Sequence, residues 1–286
     1  MGVSALCLVL VSTSCGSPLY SRRPAAQPAE LTLSRVTTAQ AARPSPSPQV
    51  IDSAAVLDAV RETAPAVTPG LLVFDRDSGT SLLEANADRR FRAASLTKLL
   101  ISIDLLSRAG GPSAGVKDHL RRMLELSDDE IASRLWVEHG RGAIVTRAAQ
   151  HIGLSDTSPP ENPGRWGDTR TTPRDVLRIY RHIRTELPAG HRELIVSALA
   201  KTRKVAADGW NQHFGIPDGM SLRWAVKQGW SDSPEDNVVH STGLVGPHWR
   251  YVVVLLAEAP AGTRWTPLRA AVTAAASAIE PQLPGG

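Results

Sequence analysis

The sequence predicts a mixed α/β (α+β) fold in which a five-stranded antiparallel sheet, built from both ends of the chain, stands beside an all-helical lobe. Three observations carry this prediction. Two strand-like runs joined by turn residues lie within 70–86, three more lie within 222–259, and the stretch between them has helical periodicity without a strand signal. Strands from the two chain ends then pair in one sheet, with the helical middle set to one side. At 286 residues and 42% hydrophobic composition the chain is long enough to bury a full core. No internal repeat is visible.

The amino terminus reads as a targeting segment. In "MGVSALCLVLVSTSCGSPLY" the apolar run is too short to span a bilayer and resembles a signal-peptide core. Thr13 and Ser14 are small residues directly before Cys15, the order found at a bacterial lipoprotein cleavage site. Residues 1–15 are therefore expected to be a signal peptide ending at a lipidated Cys15. The exported protein would be held on the outer face of the cytoplasmic membrane, or secreted. Residues 16–49, rich in Pro, Ser, Ala and Arg, cannot bury enough apolar surface to fold and are expected to be a disordered tether. A folded domain is expected over 50–286. It contains neither Cys7 nor Cys15, the two cysteines of the chain, and so has no disulfide.

Within that domain the elements follow in order. "DSAAVLDAVRETA" after Ile51 has the spacing of an amphipathic helix with Asp52 or Ser53 as its cap. "GLLVFDRDSGTSLLEAN" is a hairpin, with Asp77, Ser78 and Gly79 at the turn. Helices are predicted over 96–108, 117–125, 128–138, 143–152, 173–185 and 191–200. Strands return at "LRWAVKQGW", "NVVHSTGLV" and "RYVVVLLAEA", and a last alanine-rich helix covers 267–279.

Charge excludes some functions. The formal net charge is +4, from an arginine excess in which only five residues are lysine. Arginine pairs such as Arg89–Arg90 and Arg121–Arg122 are scattered and read as solvated surface, so no nucleic-acid partner is expected. The eight histidines show no His-x-His or His-Glu-x-x-His pattern, and the glycines of "AGGPSAG" do not have phosphate-binding spacing. No metal and no cofactor is expected, and the protein is expected to be a monomer.

The scarcity of lysine makes "FRAASLTKLLISIDLLSRAG" informative. Ser95 and Lys98 stand three apart, so on a helix their side chains share a face. A serine hydroxyl becomes a nucleophile when a neighbour takes its proton, and lysine can do so once burial or nearby positive charge lowers its pKa. Leu96, Leu99 and Leu100 offer that burial. The same spacing also suits the start of an ordinary amphipathic helix with a surface lysine. Two further stretches bear on the choice: "MLELSDDEIASRLW" puts Ser127 in a turn before a helix, and "WAVKQGW" puts Lys227 at the end of a strand with Gly229 just past it.

Ser95-x-x-Lys98, then Ser127 on the helical lobe, then Lys227-x-Gly229 on a strand resemble the three motifs of the penicillin-recognising serine hydrolases, the class A β-lactamases and D,D-peptidases. The flanks agree. "GLLVFDRDSGTSLLEANADRRFRAASLTK" is similar to that family's opening hairpin through its nucleophile, "GDTRTTPRDVLRIY" to the segment after its active-site loop, and "VVHSTGLVGPHWRYVVVLLAEA" to its closing strands. The resemblance runs from Ile51 to Ile279 and is strongest to LppW-type actinobacterial lipoproteins. It implies a β-lactamase/transpeptidase-like fold, Ser95 as the acylated nucleophile, and Lys98 as its base or as the positive neighbour activating another acceptor. Ser127 would relay a proton to the leaving group, with Lys227 polarising that hydroxyl and attracting a substrate carboxylate. The amides of Ser95 and Trp230 would form an oxyanion hole.

Several positions depart from the family pattern. Asp129 stands where an amide usually donates to substrate, and Gln228 stands where a hydroxyl usually helps hold the substrate carboxylate beside Gly229. The spacing from Ser95 to Ser127 is shorter than is typical of class A enzymes. In "SDTSPPENPGRWGDTRTTP" Glu161 is followed at once by Asn162, without the Glu-x-x-x-Asn spacing of the deacylating glutamate, so efficient β-lactam hydrolysis is not expected. His240 and His248 read as packing or surface residues, and Trp166 and Trp230 as flanks of the cleft or as packing. Two functions follow. One is an exported serine hydrolase acting through an acyl-enzyme on an amide or ester, in a cell-envelope peptide or a β-lactam-like small molecule. The other is a non-catalytic lipoprotein that keeps the fold as a binding platform.

Overall fold

The computed structural model describes residues 50–284. Cys15 and the tether expected over 16–49 lie outside the described residues.

The first helix, α1 (Ser53–Thr63), is capped by Asp52, whose Oδ1 accepts from the amides of Ala54 and Ala55. It buries Val56 and Val60, one helical turn apart. The hairpin follows as β1 (Thr68–Asp75) and β2 (Thr80–Ala85), with Gly79 at φ 71° closing the turn. A two-residue strand β3 (Phe91–Arg92) leads through a 3-10 turn (Ala94–Leu96) into α2 (Thr97–Leu106). The helical middle continues with α3 (Ala114–Glu125), α4 (Asp129–Glu138) and α5 (Gly142–Ile152). After a loop, β4 (Arg170–Thr171) pairs with β3 and leads to α6 (Pro173–Thr185) and α7 (Ala189–Ala200). A single turn, α8 (Ile216–Gly219), precedes β5 (Trp224–Asp232), β6 (Asp236–Val245), β7 (Tyr251–Pro260) and α9 (Trp265–Ile279).

The sheet order is β2-β1-β7-β6-β5 and its pairings are antiparallel, so the two chain ends do meet, with Leu71 opposite Leu255. Both faces are covered. Leu71, Val73, Val253 and Leu255 point toward α1 and α9, while Leu72, Phe74, Val252, Val254 and Leu256 point toward the helical middle. Covering on both sides explains why β7 reads as a continuous apolar run.

The helical lobe shares its core with the sheet. Helix α6 begins with Pro173 behind a Thr172 cap and buries Val176, Ile179, Tyr180 and Ile183 at helical spacing. Tyr180 donates its hydroxyl to the carbonyl of Thr242 on β6 at 3.0 Å, tying lobe to sheet. The strand expected to end at Lys227 runs on to Asp232, so Lys227 and Gly229 lie inside β5.

His240, on β6, is fully buried. Its Nε2 donates to the carbonyl of Arg92 at 2.7 Å and its Nδ1 accepts from the amide of Ala257. Burial pushes its pKa down to about 4. The unfolded chain therefore binds more protons than the native one between pH 6.5 and 4, and the stability conferred by neutral His240 is lost as pH falls through that window. The loss should be roughly 3 kcal/mol. Denaturant titrations from pH 7 to 4 check this. His240→Gln, which does not titrate, should flatten the slope, and an unchanged slope contradicts the assignment.

Candidate active site

The site lies where the 3-10 turn, the start of α4, the loop before β4 and the edge strand β5 converge. Ser95 sits in the 3-10 turn two residues before α2, so its hydroxyl is held at a helix amino terminus. Ala94 reaches φ 47°, a left-handed conformation that costs a non-glycine residue about 1–3 kcal/mol. Gly229 allows β5 to approach this turn. A Cβ there would lie 3.3 Å from the carbonyl of Ala93 and 3.2 Å from the His240 ring, tight enough to push the Ser95 turn outward.

Lys98, the second residue of α2, is completely buried. Its Nζ donates to Ser95 Oγ at 2.8 Å, to Ser127 O at 2.9 Å and to Ser127 Oγ at 3.1 Å. From the opposite lobe, Lys227 Nζ donates to Ser127 Oγ at 2.9 Å and to Gln228 O at 2.8 Å. One serine hydroxyl thus bridges two buried lysines. Ser127 is itself left-handed, at φ 50°, just ahead of α4. Asp128 caps that helix, accepting from the Ile131 amide, and is paired with Arg122.

Asp129 Oδ1 accepts from Lys98 Nζ at 2.5 Å, while its carboxylate is largely exposed at the cleft mouth. The Trp166 ring covers Lys98 Nζ with its centroid 4.7 Å away. Trp166 is fastened by its Nε1 donating to Ser133 Oγ and its carbonyl accepting from Thr97 Oγ1. Burial lowers the pKa of Lys98 below the usual lysine range against the upward pull of Asp129. Lys227 is lowered further, by burial and by the charge of Lys98, since Asp129 acts on it only from a distance.

No protein-family model matches the chain. The lipoprotein LppW of Mycobacterium tuberculosis and that of Mycobacterium bovis are each 35% identical to it over 245 residues, covering 82% of this chain and 78% of theirs. The chain belongs to the LppW lipoprotein family. Solved structures with the same fold include PBP-A, at 20% identity and a TM-score of 0.63, covering 82% of this chain and 97% of that one. A PBP-A variant solved as an acyl-enzyme with penicillin G is 20% identical, with a TM-score of 0.62 and coverage of 82% and 97%. A β-lactamase from Burkholderia vietnamiensis is 19% identical, with a TM-score of 0.63 and coverage of 79% and 94%. The fold is therefore that of the class A β-lactamases and penicillin-binding proteins.

In this LppW-family chain Ser95, Lys98, Ser127, Lys227 and Asp129 come together, and Trp230 lines the same cleft as Ser95. Gln228 does not. Strand alternation turns it to the face opposite Lys227, where it is fully buried and its Nε2 donates to the carbonyls of Gln212 and Phe214. That alternation is legible in the sequence, and it separates the two neighbours. Gln228 holds the loop behind β5 and has no path to a substrate. Gln228→Thr should therefore destabilise the protein by about 2–4 kcal/mol, because two buried carbonyls lose their donor. Urea unfolding measures it, and a variant of wild-type stability would return Gln228 to the cleft.

Glu161 is exposed, makes no side-chain hydrogen bond or ion pair among the described residues, and lines a neighbouring cavity rather than the cleft of Ser95. Trp166, from the same loop, is the residue that covers Lys98. Sequence reasoning placed it only as a flank, since the hydrogen bonds that aim it come from α2 and α4.

Proposed function

We propose that this protein is an exported serine hydrolase that forms an acyl-enzyme at Ser95 on an amide or ester. The observation that carries the reading is Lys98 Nζ at 2.8 Å from Ser95 Oγ, with Ser127 Oγ bridging Lys98 and Lys227. Ser95 Oγ attacks the substrate carbonyl carbon, and its proton passes to Lys98 once that lysine is neutral. The amides of Ser95 and Trp230 stabilise the developing oxyanion, each worth about 3 kcal/mol of barrier. Ser127 delivers a proton to the leaving nitrogen or oxygen as the bond breaks, and is resupplied through the lysines. Water then releases the acyl group slowly, because the indole of Trp166 covers Lys98 and Glu161 is remote. The substrate class that fits is a cell-envelope peptide or a β-lactam-like small molecule. LppW relatives are named as lipoproteins, which supports export and a lipid on Cys15. Fatty-acid labelling of the expressed protein should then disappear in Cys15→Ala.

The test of the activity is covalent. Incubation with a fluorophosphonate or a fluorescent penicillin should add one probe mass to the peptide containing Ser95, and Ser95→Ala should remain unmodified. One observation favours the second reading, a binding platform: the ion pair of Asp129 with Lys98 opposes loss of the lysine's proton. Prolonged incubation without any adduct, in protein that is folded, would decide for it.

A further inference from the structure

Beside the nucleophile cleft, a cavity of about 170 Å³, lies a larger one of about 640 Å³. Arg165 and Asp168 line both, so the two adjoin at that ion pair. The larger cavity is walled by the chain entering β3, the loop before β4, and the turn between β5 and β6, and four arginines face it: Arg90, Arg92, Arg165 and Arg170.

Their N–H groups are unequally spent. Arg92 is exhausted: Nε donates to Asp236 Oδ1 at 2.6 Å, Nη1 to Asp168 Oδ1 and Ser231 Oγ, and Nη2 to the carbonyls of Ser231 and Asp236. The second oxygen of Asp168 accepts from Arg165 Nε at 2.6 Å, which leaves the outer end of that guanidinium unbonded. Arg90 spends one N–H on Ser158 Oγ. Among the described residues Arg170 makes no side-chain hydrogen bond or ion pair. On the acidic side Glu235 accepts from Ser233 Oγ, and Glu161 is unpaired. Three guanidinium ends, one from the chain entering β3 and two from the loop and strand at β4, therefore line one concave surface with donors unspent, beside one free carboxylate, Glu161, and two engaged ones, Glu235 and Asp168. The unspent N–H groups are charged donors, and a planar anion accepting from the guanidinium forks would engage them together.

The larger cavity meets the cleft at Arg165 and Asp168 of the loop before β4, whereas Ser127, which would serve the leaving group, belongs to the turn before α4, whose Asp129 lines the cleft and not the larger cavity. The cavity thus extends the cleft on the other side of the scissile bond. Resting on the acyl-transfer reading above, we propose that it is a subsite for a carboxylate carried on the acyl side of the substrate, held by Arg90, Arg165 and Arg170. The step itself is unchanged: Ser95 takes the acyl group with its distal carboxylate, and the leaving group departs with the proton from Ser127.

The experiment compares 4-nitrophenyl half-esters of straight-chain dicarboxylic acids, adipic to sebacic, with esters of monocarboxylic acids of equal length and with ammonium-terminated analogues. Ser95→Ala provides the background. At the best length the carboxylate should raise the second-order rate of Ser95 acylation about tenfold or more. That preference should shrink in 0.5 M salt and fall to about one in Arg90→Gln/Arg170→Gln. Preferences below twofold at every length, or a preference for the ammonium ester, overturn the proposal. If no ester labels Ser95, the hydrolase reading fails, and the subsite is read separately by calorimetric titration of Ser95→Ala protein with adipate and hexanoate. Tighter adipate binding that is lost in the double arginine variant supports the subsite. Equal binding of the two acids overturns it.

Discussion

Exchanging Lys98 for methionine is expected to slow acylation of Ser95 by about 10²–10⁴-fold while leaving the protein at least as stable. The rate effect follows from contact, because Lys98 Nζ is the group that touches Ser95 Oγ and, with Lys227, Ser127 Oγ. Without it the nucleophile keeps its proton and the relay to the leaving group is broken. The stability effect follows from burial. A lysine with no exposed surface gives up its hydration, and an unbranched apolar side chain of similar length fills the same space without that cost. The carbonyl of Ser127 loses one donor, worth about 1 kcal/mol, and Asp129 loses its partner but remains largely exposed to water. These terms nearly cancel. Stopped-flow labelling with a fluorophosphonate reads the rate and urea unfolding reads the stability. A folded Lys98→Met protein that labels at the wild-type rate would remove Lys98 from the reaction.

Asp129→Asn is expected to accelerate acylation at pH 7 by about ten- to a hundred-fold. Neutral Lys98 is the reactive form, so the wild-type rate should rise with pH through the pKa of Lys98, which burial sets below the ordinary lysine value. Asp129 opposes that lowering, through its charge and through its hydrogen bond to Nζ. Asparagine keeps an oxygen to accept from Nζ and removes the charge. The pKa of Lys98 then falls further and the rising limb moves to lower pH. An adjacent opposite charge is worth about 1–3 pKa units, and the exposure of the Asp129 carboxylate argues for the lower part of that range. Each unit is tenfold in the neutral fraction. The gain should be largest near neutrality and vanish at alkaline pH, where Lys98 is neutral in both proteins. Coincident pH–rate curves would mean that Asp129 does not restrain the base. The same substitution supplies an amide donor at the cleft mouth, but that contribution would persist at high pH and is separable on this ground.

The two predictions draw on different information. The Ser95–Lys98 pair was legible in the chain, because spacing of three on a helical turn is a local geometric fact and Leu96, Leu99 and Leu100 announce the burial. The restraint by Asp129 was not. The sequence showed a carboxylate in the Ser127-Asp128-Asp129 turn, but not whether it faces a substrate or the base on another helix.

By itself the sequence determined the hairpin, the run of helices and the three closing strands, since these rest on periodicity, caps and turns within a few residues, while the Ser95, Ser127 and Lys227 motifs were read through their resemblance to the penicillin-recognising serine hydrolases. Its blind spots were short or shared elements. The two-residue strands β3 and β4 hold only through each other and have no period to read. Arg92 becomes a structural residue only when Asp168, Ser231 and Asp236 reach it from distant segments. Trp166 becomes a cover for Lys98 through bonds from α2 and α4. Tertiary structure alone decided the ion pair of Asp129, the course of the loop carrying Glu161, and the convergence of Arg90, Arg165 and Arg170. Each depends on where a side chain ends in space after long-range closure of the sheet and lobe, and local spacing carries no record of that.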